Sequence, residues 1–187
     1  MNNYAVSSGD LGEGLKNSAA SMAVAGNSLD ETIALLTAMT EVTQSADESG
    51  NALKVLAMRL RGMSVELKKA GEDTEGMCTT TSELQDKIKA LTKTSSSSGV
   101  DIMDNGSFRS TYDILKDIAL VWDELADKNK ASLLELIAGK NRSNYASAVI
   151  QNIGTAINSL DTSKHSNGSA LKEHEKYIDL SLIHISE

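Results

Sequence analysis

The sequence has no proline, a single cysteine and very few aromatic residues. Of its 187 residues, 40% are hydrophobic but only 3% are aromatic. Proline kinks or breaks the interior of a helix, so no helix in this sequence is interrupted in that way. A core of Leu, Ile, Met, Val and Ala is common in helix bundles and unusual in β-sandwiches. The lone Cys78 excludes an internal disulfide and a zinc site made of cysteines. These absences favour an all-α protein.

Long apolar runs and clustered positive charge are also missing. No run approaches the roughly 20 residues of a membrane span. The first ten residues, MNNYAVSSGD, lack a basic region followed by an apolar one, so we expect no signal peptide and a soluble intracellular protein. The net charge of -8 disfavours generic binding to a nucleic-acid backbone, which requires clustered Lys and Arg. We therefore expect no nucleic-acid partner.

The sequence does contain a series of amphipathic helical patterns. The predicted helices cover residues 8–25, 28–46, 51–70, 82–92, 110–125, 130–138, 142–160 and 170–178. The clearest start is Ser28 with Glu31, a capping box in which each side chain reaches the other residue's backbone amide. The best stripe consists of Leu53, Leu56, Leu60, Met63 and Leu67. The expected fold is an all-α bundle or array of about seven to eight amphipathic helices.

A small β-hairpin is predicted near 100–108. Asn105-Gly106 is a strong turn signal because both residues tolerate a positive φ. A calcium loop using Asp101, Asp104 and Asn105 is the rival interpretation, but the EF-hand spacing and its terminal Glu are missing. The hairpin and the preceding Ser-rich linker, 93–109, divide the chain into an N-terminal helical part, 1–92, and a C-terminal helical part, 110–179.

Several residues that could carry chemistry are better explained by structural roles. Cys78 lies in a loop without a nearby His, and a catalytic thiol needs a base or a cation, so an inert thiol is favoured. Gly139-Lys140 lacks the remaining residues of a phosphate-binding Walker loop. Arg59 and Arg61 are predicted to lie on a solvated face or to pair locally with Glu, with a phosphate site as the alternative.

The helix that begins near Ser110 offers two further candidates. Trp122 is predicted to be a packing anchor rather than a ligand platform. The acidic face of this helix carries Asp117, Asp123, Glu124 and Asp127. This face is predicted to be solvated, because nothing positions a substrate for an acid/base pair. His165, His174 and His184 show no metal-ligand spacing. We therefore predict no catalytic, cofactor-binding or metal-ligating residue, and no cofactor.

Four segments in fixed order resemble the core region of phage tail tape measure proteins. They are SGNALKVLAMRLRGMSVELKKAGEDTEGM, then KIKALT followed by GVDIMDNGSFRSTYDILKDIALVWDEL, then LLELIAGKNRSNYASAVIQN, and finally GSALKEHEKYID. The resemblance spans about Tyr4 to Asp179. Several ordered matches are more specific than any single one, and the Ala-Gly-Lys-x-Arg turn is among them.

This resemblance implies a structural virion component without enzymatic activity in this region. Such a protein acts as a ruler on which the tail tube polymerises, occupies the tube lumen and leaves during genome delivery. The implied partners are the tail tube protein, tail assembly chaperones, baseplate or distal tail proteins, and further copies of itself in the lumen. The implied locations are the virion tail and, during assembly, the host cytoplasm. Membrane contact is expected only through the remainder of a longer protein, not through the residues of this sequence.

Two other functions stay open from the residues alone. One is a helical interaction module or coiled-coil-like effector without a phage context, and the other is an enzyme such as a peptidoglycan hydrolase. The final segment, 180–187, reads LSLIHISE and looks like a translated sequencing adapter. We therefore expect this segment to be an artefact, with the gene continuing elsewhere. We also treat Met1 as a candidate internal start.

Overall fold

A computed structural model describes residues 7–166, which form nine α-helices, two 3₁₀ turns and a two-stranded hairpin. The helices are α1 (Ser8–Val24), α2 (Leu29–Thr43), α3 (Ala46–Arg59), α4 (Ser64–Lys69), α5 (Thr81–Leu91), α6 (Thr111–Val121), α7 (Asp127–Ala138), α8 (Ser143–Gln151) and α9 (Ile153–Ser166). The all-α prediction is confirmed. The predicted helix at 170–178, the adapter-like segment at 180–187 and the first six residues lie outside the described residues.

Two of the predicted helices are each broken into two. The pattern over 51–70 predicted one helix, but α3 ends at Arg59 and α4 begins at Ser64, with Gly62 between them at φ 67°. A positive φ is costly for residues other than glycine, and it ends the helix here. Leu67 consequently leaves the main core and packs with Val55 and Met58 in a small separate cluster. The pattern over 142–160 is likewise divided, at Asn152.

Gly50 falls between the predicted helices 28–46 and 51–70, but in the structure it lies within a helix. The turn between α2 and α3 lies earlier, at Gln44, whose φ is 57°, so Gly50 is inside α3. A Cβ atom at Gly50 would meet the carbonyl oxygen of Gly14 in α1 and lie 2.8 Å from the Gly14 Cα. The missing side chain therefore allows α1 and α3 to pack backbone to backbone.

The local start and turn signals are found where the sequence placed them. The Ser28 hydroxyl accepts from the Glu31 amide at 3.1 Å, and the Ser28 amide donates to the Glu31 carboxylate at 2.7 Å. Strands β1 (Met103–Asp104) and β2 (Ser107–Phe108) pair antiparallel, with Asn105 and Gly106 at positive φ between them. The capping box and the hairpin are thus confirmed.

The Ser-rich linker folds back on itself before the hairpin. The Thr94 amide donates to the Ser97 carbonyl at 3.0 Å, and the Val100 amide donates to the Thr92 hydroxyl at 2.7 Å. The first bond closes the linker turn, and the second holds the start of the hairpin segment against the end of α5.

One main hydrophobic core runs through the described residues. It contains Leu35 and Leu36 from α2, Leu53 and Leu56 from α3, Leu115 and Ile118 from α6, Ile137 from α7 and Val149 from α8. Helix α1 packs chiefly on α3, and α9 packs chiefly on α2. Residues from both predicted helical parts contribute to this core, while the division of the chain at 93–109 stays a prediction.

Candidate functional site

Arg59, the last residue of α3, lies in the core with only 1% of its surface exposed. Its guanidinium donates to the Leu136 carbonyl at 3.0 Å and to the Glu135 carbonyl at 3.3 Å, both in the last turn of α7. The Glu135 carbonyl also accepts from the Gly139 amide at 2.8 Å. Arg59 also donates to the carbonyls of Asp73 at 2.8 Å and Glu75 at 2.9 Å. One side chain therefore joins α3, the 73–75 loop and the end of α7.

The charge on Arg59 is accommodated by dipoles rather than by a direct ion pair. Burial lowers the pKa of Arg59, and the carboxylates of Asp73 and Glu135 oppose that effect. Arginine nevertheless keeps its proton in proteins, and the carbonyl end of a helix is the negative end of its dipole. The four carbonyls thus take the place of solvent around the cation.

The structure corrects the sequence-based interpretation of both arginines. Arg59 does not lie on a solvated face, and the hydrogen-bond acceptors of Arg59 and Arg61 are backbone carbonyls rather than Glu side chains. Because those carbonyls belong to residues as far as 77 positions away from Arg59, no local spacing could have revealed them. A guanidinium engaged by four carbonyls also has no open fork for a phosphate.

The turn at 139–142 packs directly against Arg59. Gly139 has φ 74°, and a Cβ there would lie 3.2 Å from the Arg59 Nη1 atom. Glycine is therefore needed at this position for its backbone conformation and for the space that Arg59 occupies. Lys140 then pairs with Glu75 at 2.9 Å, across the loop that Arg59 also binds.

Arg142 completes the contact between this turn and the loop. It pairs with Glu72 at 3.3 Å and with Glu48 of α3 at 3.2 Å, while Lys54 pairs with Glu72 at 3.4 Å. We call the set formed by Arg59, residues 72–75 and residues 135–142 the arginine joint.

Arg61 makes a second connection on the other side of α3. It donates to the carbonyl of Ala25, in the turn between α1 and α2, and to the carbonyl of Arg109 at 2.9 Å. Its guanidinium also lies 4.6 Å from the centre of the Phe108 ring, within cation–π range. Burial lowers the pKa of Arg61. Arg61 therefore links the turn between α1 and α2 to the hairpin segment.

Three of the four segments quoted in the sequence analysis meet at these two arginines. Arg59, Arg61 and the 71–77 loop come from the first segment, Phe108 and Arg109 from the second, and the 135–142 region from the third. The family model of phage-related minor tail proteins matches residues 1–139.

This chain belongs to the phage-related minor tail protein family. It is therefore a structural protein of the phage tail, located in the virion tail, and it interacts with other tail components. The matched region includes both arginines, the 72–75 loop and all of α7 up to Gly139. No solved structure matches the chain.

Cys78 of the tail protein is buried beside α5. Burial raises the pKa of the Cys78 thiol, and this outweighs the opposing effect of Lys87. The sequence reading found no cation for this thiol, because Lys87 approaches it only once α5 has folded. A thiol with a raised pKa is a poor nucleophile at neutral pH. The inert role of Cys78 is consistent with this environment and stays a prediction.

The carboxylates of Asp101 and Asp104, two of the oxygen donors of the rival calcium loop, are engaged with other side chains. The Asp101 carboxylate accepts from Lys89 at 2.8 Å and from Gln85, and Asn105 donates to Asp104 at 3.0 Å. Among residues 7–166, no group of three or more His, Cys, Asp or Glu side chains is arranged to hold a metal ion. The same part of the chain contains no helix long and apolar enough to cross a membrane.

The acidic face of α6 and the start of α7 is partly paired. Asp117 pairs with Arg109 at 2.6 Å, and Glu124 accepts from the Ser96 hydroxyl at 2.7 Å. Asp123 and Asp127 are exposed. Trp122 is buried in the main core, as the packing-anchor prediction requires. The pairs of Asp117 and Glu124 fix the hairpin and the Ser-rich turn to α6 and the 3₁₀ turn that follows it, which is a structural role.

Proposed function

We propose that this tail protein is a segment of a tape measure protein, which sets tail length by acting as a ruler for tube assembly. The observation that carries the proposal is that three of the four resembling segments meet at Arg59 and Arg61. There the two arginines hold helices and turns together through hydrogen bonds. The family match to minor tail proteins supplies the phage context.

The helical construction suits a ruler. An α-helix adds about 1.5 Å per residue, so the number of residues can encode a length, and 187 residues would span at most about 280 Å. Several breaks between helices are very short. Only Asn152 separates α8 from α9, and only Gln44 and Ser45 separate α2 from α3. Straightening at such breaks would convert the compact form into longer helices.

The proposed partners follow from this role. The tail tube protein would surround the chain, assembly chaperones would cover it in the host cytoplasm, and baseplate or distal tail proteins would hold its end. Further copies of the chain would lie beside it in the lumen. These copies and the chain itself would leave during genome delivery. The arginine joint would keep this segment compact until packing into the tube, and no catalytic step is proposed for it.

Tail length in the phage that encodes this chain tests the proposal. Duplicating residues 111–166 in frame, 56 residues, should lengthen the tails by about 84 Å in electron micrographs if the added chain is helical in the tube. Deleting the same residues should shorten them by a similar amount. The exposed substitution Lys69→Met is the control and should leave the tail length unchanged.

Tails of unchanged length in virions that carry the duplicated chain would contradict the ruler role. Virions that form normally without the chain, as judged by mass spectrometry of purified particles, would favour the alternative of a helical interaction module.

A further inference from the structure

Helix α9 is attached to the helical body mainly through α2, and it buries few apolar side chains there. Of residues 153–164, only Ala156 and Leu160 are buried, and Ile157 is 39% exposed. By contrast, α2 buries every residue from Ala34 to Thr40. Because hydrophobic stabilisation grows with the apolar area removed from water, α9 is held less firmly than the central helices.

Two hydrogen bonds between hydroxyl and carboxylate groups tie α9 to α2 near its two ends. The Thr155 hydroxyl donates to the Glu41 carboxylate at 3.2 Å, and the Ser163 hydroxyl donates to the Asp30 carboxylate at 2.7 Å. Helix α9 therefore runs antiparallel to α2. Both bonds are only partly buried, so water can replace either partner when the helices separate, and each bond contributes little net stability.

The stripe of α2 that faces α9 consists of polar and small residues. Asp30 and Glu41 mark this face by their bonds to α9, and helical spacing places Ala34, Thr37 and Ala38 on the same side. The same spacing places the buried leucines of α2 on its other faces. Separation of α9 would therefore bring water mainly to alanine and hydroxyl groups of α2, and not to its leucines.

The connection between α8 and α9 is a single residue with a nearly helical backbone. Asn152 has φ -104° and ψ 24°, where an α-helix has a ψ of about -42°. Its amide still donates to the Ala148 carbonyl at 3.0 Å, as in a continuous helix. The Asn152 side chain donates to the Ala38 carbonyl of α2 at 2.9 Å. The bend is thus a departure from helical geometry at one residue, and a contact with α2 stabilises it.

Release from α2 would remove the contact that holds this bend. With Asn152 at helical angles, α8 and α9 would form one helix over residues 143–166, about 36 Å long. Extending an existing helix needs no new nucleus, so α9 would remain helical after it left α2.

We propose that α9 is a detachable strap. In the closed form it lies on α2, and in an open form it rotates outward at Asn152 and continues α8 as one helix. The opening exposes Ala156 and Leu160 of α9 and the polar stripe of α2, while the contacts among the other helices stay in place. The opening is a property of the isolated chain and does not depend on the ruler role.

Thiol labelling of the full chain with N-ethylmaleimide, followed by peptide mass spectrometry, tests the opening. Ala156→Cys in α9 and Ala146→Cys in α8 each place a thiol at a fully buried position. Each labelling rate is divided by the rate of the same variant unfolded in urea. The normalised rate of Ala156→Cys should be at least about tenfold higher than that of Ala146→Cys.

Removing the two ties to α2 should favour the open form. Thr155→Val/Ser163→Ala should raise the labelling rate of Ala156→Cys at least about tenfold and leave that of Ala146→Cys unchanged. Thr162→Val is the matched control, because that hydroxyl bonds to a carbonyl within α9, and it should change neither rate. Far-ultraviolet circular dichroism of Thr155→Val/Ser163→Ala should show no loss of helix.

Three results would overturn the proposal. The first is an equal normalised rate for Ala156→Cys and Ala146→Cys, which would show that α9 opens only when the whole chain unfolds. The second is a labelling rate of Ala156→Cys that Thr155→Val/Ser163→Ala does not raise. The third is a loss of helix in that variant, which would show that α9 unfolds rather than joining α8.

Discussion

A buried arginine, Arg59, joins α3, the 73–75 loop and the end of α7 through four carbonyl partners. The cation lies at the negative end of α7, where it donates to the Leu136 carbonyl and adds a second donor to the Glu135 carbonyl, which also accepts from the Gly139 amide. Each hydrogen bond from Arg59 involves a charged donor, which makes it stronger than a neutral one. Loss of the side chain removes the charged donor from the Leu136 carbonyl of α7 and from the Asp73 and Glu75 carbonyls of the loop.

Arg59→Met should therefore lower the free energy of unfolding by about 2–4 kcal/mol, because buried acceptors lose charged donors. Urea unfolding followed by circular dichroism measures this change. Lys69→Met, which removes a similar charge from an exposed position, should have almost no effect. Equal stabilities of the two variants would show that Arg59 does not hold the joint.

The contact between α1 and α3 depends on Gly50 at the same scale. Gly50→Ala should lower the free energy of unfolding by at least about 2 kcal/mol, because the new methyl group meets the Gly14 backbone and the helices must separate. Gly12→Ala is the matched control. It lies in the exposed part of α1 with no atom within 4 Å of the new Cβ, and it should stabilise the protein by about 0.5–1 kcal/mol. Thermal unfolding of both variants decides the point, and a stabilising Gly50→Ala would contradict the close packing.

At the scale of elements, Glu83 couples the start of α5 to pH. Its carboxylate accepts from Lys87 and from the amide and hydroxyl of Thr79, and these bonds lower the pKa of Glu83 to about 2. A carboxyl whose pKa is lower in the folded state stabilises that state above pH 4.5, and the contribution is lost as the pH falls toward 2.

NMR titration of the Glu83 carboxyl checks this prediction. The pKa should be about 2 in the unaltered protein, and Lys87→Met should raise it, because the largest of the three contributions is removed. The bonds from Thr79 remain in that variant, so the pKa should stay below 4.5. An unchanged pKa in Lys87→Met would show that Lys87 does not hold the carboxylate.

The elements that the sequence predicted well are those fixed by neighbouring residues. The Ser28 capping box and the Asn105-Gly106 turn depend on side chains within three or four positions of each other. The break at Gly62 was missed because it depends on a positive backbone angle that periodicity does not reveal. The position of Gly50 inside α3 was missed because it depends on packing against Gly14 of α1. The arginine joint was missed for the same reason, since a stripe shows that Arg59 flanks the core but not that it has carbonyl partners.

At the scale of the whole molecule, the central claim is that this tail protein is a compact helical body held by its arginines. A ruler in its working form would be extended, so the compact form would be the state before packing into a tube. Helices separated by one or two residues make both states accessible to one sequence. Folding into the compact state buries the apolar core. An extended form would lose this burial and would need contacts with the tube to replace it.

Small-angle X-ray scattering of the isolated chain tests this claim most directly. A compact body of 187 residues should have a radius of gyration of about 16 Å. Arg59→Met should increase it, while Lys69→Met should not. Scattering from a rod that approaches about 280 Å in length, with no compact form in dilute solution, would contradict the account.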